Sequence, residues 1–283
     1  MKSFLMGAGI AALVLIVGLI LVVVLHPNFG AAADNGGMDL GATEVFATTA
    51  PPTTIAPETE PPVTEPEPEP EPLTIQEFLH INPVPEGFTV DNDLLPWNLT
   101  LLNRYNFLPE DFLPTLAPVG GGHYLDTRIA VSFLNMMDEM RGEGLFPVLI
   151  SSTRSVAHQR TLFTNQVNRW IDTGQSPEEA FETARRIVAY PGSSEHNLGQ
   201  AVDIAAEHAR GLVAAFGQTP EGIWLAQNSY RFGWVLRYPD HKQHITNIIY
   251  EPWHFRYVGI EAANFMFEND VVLEEYVFWR LNQ

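Results

Sequence analysis

The stretch SSEHNLGQAVDI (193–204) sets His196 and Asp203 seven residues apart with Gly199 between them, and EPWHFRY (251–257) carries His254 three residues after Glu251. A glycine turn on a bent strand-turn-strand path would bring the His196 and Asp203 side chains to one point, and His254 is the third candidate donor. Two histidines and one carboxylate form a zinc set of the catalytic kind, with a fourth position left for water. Zinc in such a set lowers the pKa of its water to about 7, so a nearby carboxylate can take the proton at neutral pH. Glu251 is spaced for that base role. The chain has no cysteine, so any metal must be held by His, Asp or Glu. Asp203 is the most informative of the four, because a carboxylate between Val202 and Ile204 is costly to bury unless a metal or an ion partner meets it. A salt bridge with an arginine would serve it equally well, and spacing alone leaves both open. His26, His80, His123, His158, His208, His241 and His244 have no comparable partner and read as surface or hydrogen-bonded histidines.

These residues need elements to hold them. Asp126 is expected to cap a helix that carries Ile129, Phe133, Met136, Met137 and Met140 at helical spacing. LFPVLIS (145–151) reads as a buried strand followed by a TRS loop. Ser155 can cap a second helix with Leu162, Phe163, Trp170 and Ile171 on one face, ended by Gly174. SPEE (176–179) has a serine cap, proline at the first helical position and Glu179 at the capping-box position. A further helix is expected at TPEG (219–222), strands at GWVLRY (233–238) and NIIYEPWHFRYV (247–258), and helix again from Ile260. Strands and helices that do not strictly alternate imply an α+β fold, a small antiparallel sheet flanked by helices.

The chain has 283 residues, with 34 acidic against 15 Lys and Arg and a net charge of −19. A nucleic-acid backbone needs a basic face, so no nucleic acid is expected as partner. The charge is unevenly placed. From Arg104 onward there are 21 acids and 14 bases, so most of the excess lies before that point. Residues 34 to 72 carry nine acids, no Lys or Arg and many Pro and Thr. Like charges and prolines hold a backbone extended, so 27–73 reads as a disordered acidic stalk. The 22 uncharged, nearly all apolar residues from Phe4 to Leu25 would span roughly 33 Å as a helix, enough for a bilayer core of about 30 Å. Residues 1–26 are therefore expected to be a transmembrane signal anchor, with cleavage near Ala31-Ala32-Ala33 as the alternative. In either case the catalytic domain, 74–283, is expected on the extracytoplasmic side of the cell membrane, single-pass if uncleaved, and as a monomer.

SSEHNLGQAVDI resembles the S-x-H-x-x-G-x-A-x-D motif of VanY-type zinc D,D-carboxypeptidases, and EPWHFRYVG resembles the second signature of that family. The likeness extends through LLNRYNFLPEDFLP, SSTRSVAHQ and GWVLRYP, and so covers nearly all of 101–260. It implies a zinc peptidase domain of the LAS/hedgehog-like fold in which His196, Asp203 and His254 bind Zn2+ and Glu251 is the general base. Arg154 matches the arginine of the family's GYRS loop, where a guanidinium would stabilise the oxyanion of the attacked amide. Ser194 and Gln159 match substrate-binding positions for the terminal D-alanine, the substrate being a peptidoglycan stem peptide. Tyr190 and Trp253 are candidate pocket walls.

Two departures touch the pocket and not the zinc set. Ser152-Thr153 replaces the usual Gly-Tyr before the arginine, and Asn197-Leu198 replaces the common Gln-Thr after His196. An L,D-carboxypeptidase acting on tetrapeptide stems is the alternative within the class. Outside it stand a non-catalytic wall-binding module on the same scaffold and a zinc domain used as a signalling or adhesion ectodomain. An intact Glu251 and Arg154 argue for catalysis, since binding alone requires no base.

Overall fold

The computed structural model describes residues 72–109 and 111–283. The expected anchor at 1–26 and nearly all of the expected stalk lie outside the described residues. Among those described, no helix is long and apolar enough to cross a membrane.

The element order is α1 (Ile75–Ile81), β1 (Leu116–Gly120), β2 (His123–Asp126), α2 (Ala130–Gly142), β3 (Pro147–Ser151), α3 (Val156–Asp172), α4 (Pro177–Ala184), α5 (Glu195–Leu198), β4 (Ala201–Ala206), α6 (Pro220–Asn228), β5 (Trp234–Leu236), α7 (Gln243–Thr246), β6 (His254–Tyr257), α8 (Ile260–Glu268) and α9 (Leu273–Arg280). β1 and β2 form a hairpin, and an antiparallel sheet runs in the order β3-β4-β6-β5. The fold is α+β with small antiparallel sheets, as the sequence implies.

The local signals act where side chains meet their own backbone. Ser155 accepts from the His158 N–H, Thr219 from Gly222, and Ser176 with Glu179 closes a capping box at the start of α4. Asp126 does not cap α2. Its Oδ1 instead accepts from the Arg128 N–H and Nε, both at 2.9 Å, and Ile129 stands at the cap with no side-chain bond. The long strand expected over 247–258 is also shorter. Pro252 presets φ for a turn closed by His254 N–H to Glu251 C=O, 3.0 Å, and only His254–Tyr257 joins the sheet.

Phe133, Met136, Met137 and Met140 of α2, with Ile129 before it, are almost wholly buried against Val202, Ile204, Trp234 and Phe255. Burial of that kind contributes about 1.5–3 kcal/mol per side chain. The period of two along a strand divides β4 between two faces. Val202 and Ile204 enter this core, so Asp203 between them faces the other way. In β6 Phe255 enters the core and its neighbours His254 and Arg256 turn to the opposite side. The register pairs Asp203 with His254 and Ala201 with Arg256. One face of the sheet is thus apolar and the other carries ionisable groups. A second core under α8 and α9 collects Leu99, Leu101, Val258, Met266, Leu273 and Val277.

Candidate active site

His196 does not lie on a strand-turn-strand path. It sits on α5, a single helical turn whose C-cap Gly199 adopts φ 78°. A Cβ there would meet Leu116 Cδ2 at 3.2 Å and Thr153 Oγ1 at 3.3 Å, so both conformation and space call for glycine. The reversal at Gly199 feeds β4, and within it Asp203 comes back beside His196. His254 reaches the same place from β6. One ligand atom from each of His196, Asp203 and His254 lies within 4.8 Å of the others.

The three side chains are buried. His196 Nε2 lies 3.2 Å from Asp203 Oδ2, and His254 Nδ1 lies 3.2 Å from Asp203 Oδ1. Yet among the described residues His196 Nε2 and Asp203 Oδ1 have no hydrogen-bond partner. Buried polar atoms are rarely left so, and lone pairs converging on one point suit a cation held between them. The outer nitrogens are committed elsewhere. His196 Nδ1 is 2.7 Å from the Ser152 carbonyl and His254 Nε2 is 3.3 Å from Glu195 Oε2. Each must donate there, so the inner nitrogen of each ring is the one a metal can take, displacing any proton held on it. The donor set, two imidazoles that ligate in their neutral form and a carboxylate, therefore fits zinc.

Glu251 Oε2 stands 3.7 Å from His254 Nδ1, brought there by the Pro252 turn. Burial pushes its carboxyl up to about 8, His254 opposing and Asp203 assisting. Burial likewise drives His196 down to about 4, with the Arg154 charge adding to it. Burial opposes a charge on His254 as well, but Asp203 and Glu195 overcome it and raise the ring to about 9. Asp203 is held well below the carboxylate range, against burial, by the two histidines.

Arg154 follows β3, its N–H donating to the His196 carbonyl. Its guanidinium donates to Ser151 Oγ (3.1 Å), Gln159 Oε1 (2.9 Å) and Asp203 Oδ2 (3.1 Å). The arginine partner considered for Asp203 is thus present too, but it occupies one oxygen and leaves the other. Gln159 is spoken for at both ends, since its Nε2 donates to the Ala189 carbonyl at 2.7 Å. A cleft of about 740 Å3 is lined by Arg154, Gln159, Ser194, Trp253 and the four residues named at the outset. Tyr190 instead packs on Phe163 and Phe181 beside a neighbouring cavity.

The two departures have structural work. Ser152 supplies the carbonyl for His196 and its Oγ meets His123 Nδ1 at 3.1 Å, while Thr153 Oγ1 donates to the Tyr124 carbonyl. Asn197 Nδ2 donates to the Arg154 carbonyl and its Oδ1 accepts from Gly192 N–H, tying loop to turn. Sequence reasoning passed over Glu195, the buried acceptor for His254. Its only local signal was an acid directly before a candidate ligand.

The family model for VanY, D-alanyl-D-alanine carboxypeptidase, matches residues 122–260. A D-alanyl-D-alanine carboxypeptidase of Enterococcus faecalis (strain ATCC 700802 / V583) is 38% identical over 181 residues, which span 64% of this chain and 66% of that protein. The solved structure of VanYB in complex with D-alanine-D-alanine is similar at 37% identity and a TM-score of 0.60, over 64% of this chain and 98% of that one. A point mutant of a VanY D,D-pentapeptidase from a VanB-type vancomycin resistance cassette, solved in complex with Zn(II), aligns at 37% identity and a TM-score of 0.59, over 64% and 99%. With its fold, its donor set and nearly the whole of two solved relatives matched, the chain belongs to the VanY D-alanyl-D-alanine carboxypeptidase family.

Proposed function

We propose that this protein is a zinc-dependent D,D-carboxypeptidase that removes the C-terminal D-alanine of peptidoglycan stem peptides. The observation that carries the reading is the convergence of His196 Nε2, Asp203 and His254 Nδ1, with His196 Nε2 and Asp203 Oδ1 lacking a hydrogen bond among the described residues and Glu251 beside them. His196, Asp203 and His254 would hold the ion. A bound zinc ion acts as a Lewis acid and makes water a competent nucleophile at neutral pH.

Glu251 takes the proton of the attacking water, and as the C–N bond breaks it returns that proton to the leaving D-alanine nitrogen. Burial raises this carboxyl to about 8; the charge of a bound ion nearby would favour its ionised form, the form that takes the proton. Arg154 faces the oxygen that becomes negative, and its bonds to Ser151 and Gln159 keep the guanidinium in place before substrate arrives. Ser194, buried on the cleft wall, and Gln159 meet the terminal residue, Gln159 chiefly through the arginine it braces. The domain acts as a monomer. Residues 1–26 anchor it, and 27–73 carry it away from the membrane on the outer side, a reading supported by the apolar run and the acidic Pro/Thr composition.

The test is mass spectrometry of penta- and tetrapeptide stems after incubation with the zinc-loaded protein. Release of one D-alanine from the pentapeptide, abolished by chelation, is expected. Cleavage of the tetrapeptide alone would move the assignment to an L,D-carboxypeptidase, and wall binding without product would make the domain a binding module.

A further inference from the structure

Glu195 is wholly buried, and its two oxygens have different partners. Oε1 accepts from Arg237 Nε at 2.8 Å and from Arg256 Nη1 at 2.9 Å. Among the described residues Oε2 meets only His254 Nε2, at 3.3 Å. Arg237 is gripped from its far side by Glu274 of α9, through Nη1 at 2.9 Å and Nη2 at 2.7 Å. Arg256 is fixed by the Asn98 and Thr100 carbonyls. Two carboxylates and two guanidiniums sum to no net charge, so the group can stay buried without borrowing a proton from His254. Glu274 lies beyond residue 260, where the family match ends.

We propose that Glu195 is a positioning residue that fixes which nitrogen of His254 faces Asp203 and Glu251, and that Glu274 holds Glu195 in that pose through Arg237. A neutral imidazole carries one proton on one of two nitrogens. An ionised Glu195 has nothing to donate, so the proton sits on Nε2 and the Nδ1 lone pair points at the site. The arginines make the choice one-sided. Both are donors only, so a glutamine at 195 must give them its amide oxygen and turn its NH2 toward His254 Nε2. Two donors would then face each other, and His254 must shift its proton to Nδ1, where a metal ligand cannot carry one.

The inference rests on the zinc reading above, and its test reads metal affinity and tautomer rather than turnover. The full chain, E195Q and E274Q are titrated with zinc against a chromophoric chelator, and the protonated nitrogen of His254 is read from long-range 1H–15N correlations of the metal-free proteins above about pH 9, where the ring is neutral. E195Q is expected to bind zinc about 10–100-fold more weakly, the range seen when the outer partner of a ligand is lost, with the His254 proton on Nδ1. E274Q, at the far end of the network, is expected to lose a smaller factor in the same direction and serves alone if E195Q does not fold. M266A, which loosens the core beneath α8 without touching the network, is expected to keep its zinc affinity. Folded variants that bind within twofold of the parent and keep the proton on Nε2 would overturn the proposal, as would an M266A loss equal to that of E274Q. A parent that takes up no zinc would sink the functional reading itself, whereas a zinc-binding parent with unaffected variants would sink only the positioning role.

Discussion

Glu251→Gln should make the protein nearly inactive and, when metal-free, more stable. Glu251 is 7% exposed and burial pushes its carboxyl from the usual 4.5 to about 8. An acid raised on folding binds its proton more tightly in the native state, so native stability falls as pH climbs from about 4.5 toward 8. At 1.36 kcal/mol per tenfold in proton affinity, the cost of keeping Glu251 at pH 7 comes to about 3 kcal/mol as an upper bound. Glutamine has the same shape and no charge to bury. Even a third of that gain would raise Tm by about 2–4 °C for a domain of this size. The advantage should be largest near pH 8 and vanish below about pH 4.5. Loss of the base should meanwhile lower kcat about 10²–10⁴-fold. The assay pairs melting curves in chelator at several pH values with D-alanine release by the zinc-loaded protein. A variant that keeps full activity refutes the base role. One that melts no higher than the parent between pH 6 and 8 refutes the account of burial.

Arg154→Lys keeps a charge but cannot reach Ser151, Gln159 and Asp203 together, so kcat should fall about 10²-fold or more with a smaller change in KM, measured on the pentapeptide. Gly199→Ala forces a side chain into φ 78° against Leu116 and Thr153, and should cost about 1–3 kcal/mol in denaturant unfolding and weaken zinc binding. Met136→Ala empties a fully buried position on α2 and should cost about 2–5 kcal/mol while the activity of the remaining folded protein is unchanged. Burial resists the charge of Glu195, yet Arg237 and Arg256 hold its carboxyl well below the usual range. That stability is present above about pH 4.5 and drains away as pH falls further, so acid melting should be steeper in the parent than in E195Q.

What could be read along the chain was what acts locally. Ser155, Ser176 and Thr219 cap helices with atoms a few residues away, and the alternation around Asp203 states which face it occupies. Where local signals competed, the reading failed. Asp126 had a neighbouring arginine to bind and left α2 uncapped, and Pro252 cut the expected strand by making a turn. The Glu195 network was invisible for a different reason. Its bonds join residues 42 and 61 positions apart, and an ion pair formed by folding leaves no period in the sequence. Gln159 shows the same limit, because its partner Ala189 is 30 residues away.

β4 has a last consequence. With Val202 and Ile204 on one side and Asp203 on the other, the strand works as a partition between two inventories of residues that share a backbone and little else. Changes of size or shape at 202 and 204 should be answerable by repacking around α2, while 203 tolerates no such bargaining. Insertion of a single residue before 203 would transpose the sides, sending the carboxylate into the methionine-rich interior and an aliphatic chain toward the ion. Length between Gly199 and Asp203 is therefore guarded more strictly than composition, so a deletion scan across this segment should be far more damaging than a substitution scan.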